Sequence, residues 1–384
     1  MKQMSLNDIV NEYKGKSYTT NYKDLLKERA DNRLEDHKNW KKIENIKDLK
    51  QGYLSQVVHI ISKMMVEYDA VVVLEDLNGG FVRDRQKRES NVYKQFEKSL
   101  SDKLGYYVDK QKNVDEPGGV LHALQLTSNS ESSKRNVKQN GCLFYIPAWN
   151  TSKTDPITGF VNLFKFKDIT NAQERKDFFL SFDSIRFVSK ENGFEFIFNY
   201  DNFETQAEDS KKIWSVYTHG KRIVKDEKNG HKQMKNVYPT DILIDAFEKI
   251  GVNLQPEMDV MPIIDALEAN NTNASFFSSL FYAFKITLQM RNSNTQEDFI
   301  LSPVKVNGQY FDSTNEANKG HDSNGNWISK LPVDADANGA YNIARKGLWA
   351  IRQIQETPAG ERPNLAIKNK EWLNFAQQKP YEDE

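Results

Sequence analysis

The stretch that decides the fold reads Ala70-Val71-Val72-Val73-Leu74-Glu75-Asp76-Leu77-Asn78-Gly79-Gly80-Phe81. Its apolar start, rich in β-branched valine, is typical of a strand buried on both faces. The run breaks into two carboxylates and a glycine pair, and ligands of open α/β sheets gather at such strand ends. We therefore predict a central strand that delivers Glu75 to the functional edge of an α/β sheet. The plainer alternative is that Glu75 and Asp76 begin a polar loop.

A second acidic stretch lies near the end of the chain, in Leu331-Pro332-Val333-Asp334-Ala335-Asp336-Ala337-Asn338-Gly339-Ala340-Tyr341-Asn342-Ile343-Ala344. Asn338 is a suitable N-cap for a helix. The apolar positions that follow have helical spacing and predict a face packed on the sheet; they are 340, 343, 344, 347, 348 and 351. Asp336 would then stand just ahead of that helix. Two carboxylates brought together from distant sequence are the minimum for a magnesium-dependent phosphodiesterase site.

Six segments occur in a recognisable order along the chain. They are Gly52 to His59, Val73 to Phe81, Tyr93 with Phe96-Glu97-Lys98, Pro147 to Phe160, Gln289 to Ser293, and Asp334 to Tyr341. Together they closely resemble the C-terminal part of the type V-A CRISPR effector, an RNA-guided DNA endonuclease of antiviral defence. The resemblance implies an α/β fold with an RNase H-like (RuvC) nuclease core, N-terminally incomplete, and an inserted α+β Nuc domain.

The resemblance also implies catalytic residues. Glu75 and Asp336 match metal-holding acids of a two-metal Mg²⁺ site, which would hydrolyse a DNA phosphodiester. Arg291 matches an arginine needed for cutting, and Asp298 matches a nearby acid implicated there. An arginine can pair with two oxygens of one phosphate, which suits that role. By position alone, an arginine that ends a helix is more often a surface residue that compensates the helix dipole, and only the resemblance favours a catalytic role for Arg291.

Cations cluster in the loop that follows the glycine pair. Arg83, Arg85, Lys87 and Arg88 suggest a lid that holds a phosphate backbone, the role that the resemblance implies. A solvated basic loop explains the same cluster. Trp40 matches a bridge-helix tryptophan that anchors the nuclease to the guide and target lobe, and it is otherwise an ordinary packing residue.

Four segments follow from these matches. Residues 1–50 are the linker and bridge helix, with a long helix predicted over 24–50. Residues 51–146 form the second segment of the RuvC core and open with a new helix at Gly52. Residues 147–325, which begin with the turn-rich stretch from Pro147, form the inserted Nuc domain. Residues 326–384 form the third core segment.

One part of the family pattern is absent from this sequence. The first of three family acids lies in a segment reading roughly Asp-Arg-Gly-Glu, and no such stretch occurs here. We therefore expect a portion whose partners are guide RNA, target DNA and the missing N-terminal part of the same protein, and which does not cut DNA alone. Two other hypotheses stay open: a non-catalytic nucleic-acid-binding remnant or fragment completed in trans, and an autonomous transposon-type nuclease.

Composition bounds the remaining choices. With 53 basic and 54 acidic residues, net charge gives no general attraction to nucleic acid, so any contact comes from local patches. The single cysteine, Cys142, excludes a disulfide framework, and the six histidines lack metal-ligand spacing. No apolar run is long enough for a membrane span or signal peptide. These features predict a soluble, cytoplasmic protein with no membrane partner.

Overall fold

The computed structural model describes residues 40–76, 84–106, 111–113, 116, 142–203, 212–228, 231–315, 319–321, 327–329, 331–361 and 363–378. The chain divides into two compact units, one within residues 3–148 and the other within residues 149–384. Among the helices of the described residues, none is long and apolar enough to cross a membrane.

The first unit is built from two long helices and two strands. In chain order they are α1 (Trp40–Glu67), β1 (Val72–Asp76), α2 (Asp84–Tyr106) and β2 (Leu143–Pro147). The strands pair in parallel, with Val72 opposite Leu143 and Glu75 opposite Ile146. Apolar side chains from all four elements form one small core, which consists of Val58, Met65, Leu74, Leu100, Leu104 and Leu143.

Two predictions for this unit need correction. The predicted break near Gly52 is wrong, because α1 runs continuously from Trp40 through Gly52 to Glu67; residues 24–39 lie outside the described part. The prediction of a strand buried on both faces is also wrong. Only Leu74 of β1 is buried, and Val71 just before the strand is 41 % exposed. The valine run therefore encodes extended backbone, since β-branched side chains favour it, while one face stays largely open.

The second unit contains more elements. They are α3 (Ala172–Leu180), β3 (Ser184–Val188), β4 (Gly193–Asn199), β5 (Ile213–Tyr217), β6 (Arg222–Lys228), β7 (His231–Val237), α4 (Pro239–Lys249), β8 (Met258–Asp259), α5 (Met261–Ala266), α6 (Ala274–Thr287), β9 (Arg291–Ser293), β10 (Asp298–Val306), β11 (Gln309–Asp312), β12 (Lys319–His321), β13 (Trp327–Ser329), α7 (Ala335–Glu356) and α8 (Asn369–Gln377). Residues 319–321 and 327–329 form a short antiparallel strand pair, β12 with β13.

An aromatic core holds this unit together. The sheet β5-β4-β3-β8 is antiparallel, and the alternating Phe194, Phe196 and Phe198 lie on β4. All three phenylalanines are fully buried, as is Phe284 of α6, whose ring lies 5.0 Å from that of Phe196. A second sheet, β11-β10-β9, begins just beyond the end of α6. The core thereby supports the strand that carries Arg291.

Helix α7 forms where a helix is predicted, but its cap and buried face differ. Asp334, not Asn338, is the N-cap, and its carboxylate accepts a 2.7 Å hydrogen bond from the Ala337 N–H. Asp336 consequently lies in the first turn instead of ahead of the helix. Of the predicted apolar face, Gly347 is buried but Leu348 is 50 % exposed, and half of the buried positions are polar. The buried positions are Ala335, Asn338, Gly339, Asn342, Arg345, Lys346, Gly347 and Ala350.

The polar side chains on the buried face of α7 bind residues 149–154, with which the second unit begins. The Asn338 side chain donates to the Thr154 carbonyl at 3.0 Å, and the Asn342 side chain donates to the Thr151 carbonyl at 3.0 Å. The buried Lys346 ammonium donates to the Trp149 carbonyl at 2.8 Å. Because buried polar groups are stable only when paired, these bonds fix the rotation of α7 about its axis. The rotation decides where Asp336 points.

Candidate active site

Glu75 is held near the end of the β1–β2 pair in the first unit. Its carbonyl accepts a 2.7 Å hydrogen bond from the Tyr93 hydroxyl of α2. Burial raises the pKa of Tyr93 well above its usual range, and the nearby carboxylates of Glu97, Glu75 and Asp76 raise it further. The end of β1 is therefore a region of concentrated negative charge on a strand that α2 fixes in place.

A second acidic cluster forms in the other unit, where three sequence segments meet. Arg291 Nη2 lies 3.4 Å from Asp336 Oδ1, joining β9 to the first turn of α7. Both side chains are accessible, at 52 % and 87 % exposed. Asp298 begins β10 and pairs with Ser293 at the far end of β9. Exposed ion pairs contribute little stability. Breaking the pair so that Arg291 or Asp336 binds a ligand instead therefore costs little free energy.

The pKa of Asp298 reflects the charges of Asp334 and Asp336 near it. Its pKa is raised, first by burial and next by the negative charge of Asp334, while Arg291 and the Ala335 N–H lower it and Asp336 adds a smaller increase. Asp298 thus lies near the N-terminus of α7, where the helix dipole favours anions. The structure brings together Arg291, Asp298 and Asp336, all three of which the sequence predicts.

Sequence reasoning missed Asp334 as a member of this cluster. Its position three residues before Ala337 is the spacing at which an N-cap carboxylate accepts from the N3 amide, and that signal was available in the sequence. The choice of Asn338 overlooked it. Asp334 holds the helix terminus in place and adds negative charge beside Asp298.

The comparison with protein families agrees with this chemistry. A family model described as RuvC nuclease domain matches residues 1–381. The chain belongs to the RuvC nuclease family. Members of this family are hydrolases that cleave nucleic acids and generally use divalent metals, and the family implies the RNase H-like α/β fold. The mixture of helices and sheets in the described residues is compatible with that fold.

The acids of this RuvC nuclease offer ligands that suit a divalent cation. Carboxylate oxygens are the donors that Mg²⁺ prefers, and the mutual repulsion around Asp298 is of the kind that a bound cation removes. Within the described residues, no three acidic, histidine or cysteine side chains are grouped to share one metal. Glu75 and Asp336 belong to different units, so their common metal site stays a prediction.

The proposed nucleic-acid contacts fall largely outside what the structure describes. Arg83 lies outside the described residues. Arg85, Lys87 and Arg88 belong to the first turns of α2, and Trp40 begins α1, but their side chains are among those not described. Their roles in holding a phosphate backbone or anchoring the nuclease remain predictions.

Proposed function

We propose that this RuvC nuclease is the C-terminal nuclease portion of a type V-A CRISPR RNA-guided DNA endonuclease. The observation that carries the proposal is the approach of Arg291 to Asp336 at 3.4 Å, across 45 positions of sequence. Two motifs matched to cutting residues therefore meet in one accessible cluster. The resemblance of six ordered segments to that effector supplies the substrate class.

In this proposal the site divides its work among a few side chains. Glu75 and Asp336 would hold Mg²⁺, which supplies Lewis acidity toward the phosphodiester oxygens. Arg291 would leave Asp336 for the scissile phosphate, because a guanidinium forms two parallel hydrogen bonds with phosphate oxygens. Asp298 would place further negative charge beside Arg291, whose positive charge lowers the pKa of Asp298. Guide pairing, not this chain, would choose the DNA sequence.

A reconstitution experiment tests this proposal. The full chain is mixed with a separate N-terminal chain of a type V-A effector that carries the first acidic strand, together with guide RNA and Mg²⁺; we call this mixture the reconstituted nuclease. We expect guide-dependent cleavage of target DNA from the reconstituted nuclease and none from the chain alone, because a two-metal site needs the further carboxylate.

Other outcomes distinguish the rival functions. Guide-dependent binding without cleavage by the mixture would favour the non-catalytic remnant. Robust Mg²⁺-dependent cutting of single-stranded DNA by the chain alone, abolished by Glu75→Ala, would favour an autonomous nuclease and overturn the requirement for a further acid.

A further inference from the structure

Next to Arg291 lies a buried amide with an unusual set of partners. Asn292 is the central residue of β9 and is fully buried. Its Nδ2 donates to the Met290 carbonyl at 2.9 Å, and its Oδ1 accepts from the Ile223 N–H at 2.9 Å. The side chain therefore ties β9 to β6, which lies 69 positions away in sequence. Pairing of this kind is costly to break, since it would leave buried polar groups unsatisfied.

Gln289 adds a second side-chain connection between β9 and β6. Its Nε2 donates to the Ile223 carbonyl at 2.8 Å and to the Arg291 carbonyl at 3.0 Å. Both backbone groups of Ile223 are thus bonded by side-chain amides, much as a neighbouring strand would bond them. Gln289 and Asn292 together form what we call the amide clamp.

The part of β6 that the clamp binds has further buried contacts of its own. The Arg222 guanidinium is fully buried and donates to the carbonyls of His219 at 2.8 Å and Thr287 at 3.2 Å. Ile223 packs in a small core with Phe299 and Leu301 of β10. Because β10 begins at Asp298, one rigid frame supports both the clamp and the acid cluster.

The geometry of β9 determines the face on which the Arg291 side chain lies. Successive side chains of a strand point to opposite faces, so a buried Asn292 requires Arg291 to face outward. The Arg291 side chain is 52 % exposed and reaches Asp336. Fixing the backbone of Arg291 removes the backbone part of its conformational freedom, so that the side chain starts from one defined position near the site.

We infer that Asn292, assisted by Gln289, is a positioning residue that holds Arg291 where a scissile phosphate must bind. The inference rests on the proposed function, because it assigns a support to the arginine used there. Neither amide touches substrate in this account. Both act through the backbone on either side of Arg291.

The test is a double-mutant cycle in the reconstituted nuclease. Asn292→Ala should lower kcat by about 10- to 100-fold and leave KM within about threefold, since small misplacements of a catalytic group cost that much. In an Arg291→Ala background the same change should cause no further loss, because nothing remains to be positioned. Gln289→Ala, at a half-buried site, should show the same pattern more weakly.

Asn199→Ala is the matched control, because it also removes an amide that accepts a backbone N–H, from Asp201 at 3.0 Å, in the same unit. It should leave kcat unchanged. If Asn292→Ala and Gln289→Ala slow the Arg291→Ala enzyme as much as they slow the unsubstituted one, the positioning role is wrong. An unsubstituted reconstituted nuclease that does not cleave would instead refute the proposed function, and the positioning role with it.

Discussion

Asp336→Asn is expected to reduce cleavage by the reconstituted nuclease by at least about 10³-fold. A metal-holding carboxylate contributes several kcal/mol to transition-state stabilisation, and its removal loses that contribution. Each loss of about 1.4 kcal/mol slows the reaction about tenfold. The side chain is 87 % exposed and its ion pair is with the accessible Arg291, so the fold should be unaffected. The free energy of unfolding should change by no more than about 0.5 kcal/mol. Single-turnover cleavage and urea unfolding measure the two quantities.

Asp241→Asn is the matched control for this prediction. Asp241 is also an exposed aspartate in the first turn of a helix, α4, so its replacement removes the same charge from the same kind of position. We expect full activity from that variant. Retention of more than about a tenth of the activity by Asp336→Asn would remove Asp336 from the catalytic set.

Gly159→Ala is expected to destabilise the second unit by about 3 kcal/mol or more. Gly159 has φ of +69°, and an added Cβ would lie 2.3 Å from the Ala376 carbonyl oxygen at the end of α8. That oxygen cannot easily retreat, because it accepts a 3.1 Å hydrogen bond from the buried Arg345. Left-handed strain and a backbone clash therefore add together. Chemical denaturation of the two proteins measures the loss.

Gly308→Ala separates these two causes. Gly308 has φ of +78°, but nothing lies within 4 Å of its added Cβ. Only strain should appear there, about 1 kcal/mol. Equal losses at the two glycines would show that the close approach to Ala376 is not rigid.

The sequence predicts the position of α7 but not its orientation, and the reason is physical. Hydrophobic spacing assumes that the buried face is the apolar one. Here the buried face carries Asn338, Asn342 and Lys346, whose partners are carbonyls of residues 149–154. Such side-chain-to-backbone bonds span nearly two hundred positions, and no local pattern encodes them. Leu348, assigned to the core by spacing, is half exposed.

For β1, the extended backbone could be predicted from the sequence, but the burial of its two faces could not. Valine stiffness favours extended backbone whatever the surroundings, so the strand was predictable. Burial depends on what covers each face, and only Leu74 is fully covered. The candidate cluster was predictable where the family resemblance covered it, at Arg291, Asp298 and Asp336. Asp334 was missed because the cap was assigned to Asn338.

The most direct test of the account is whether Glu75 and Asp336 hold the same cation. Mn²⁺ can replace Mg²⁺ as a spectroscopic probe, and its binding to the full chain can be titrated by electron paramagnetic resonance. The account predicts one binding site to which both carboxylates contribute. Glu75→Gln and Asp336→Asn should each weaken binding of the same Mn²⁺ by about tenfold or more, and the double variant should bind more weakly still. Two separate Mn²⁺ sites, each abolished by only one of the two substitutions, or no loss at either position, would contradict it.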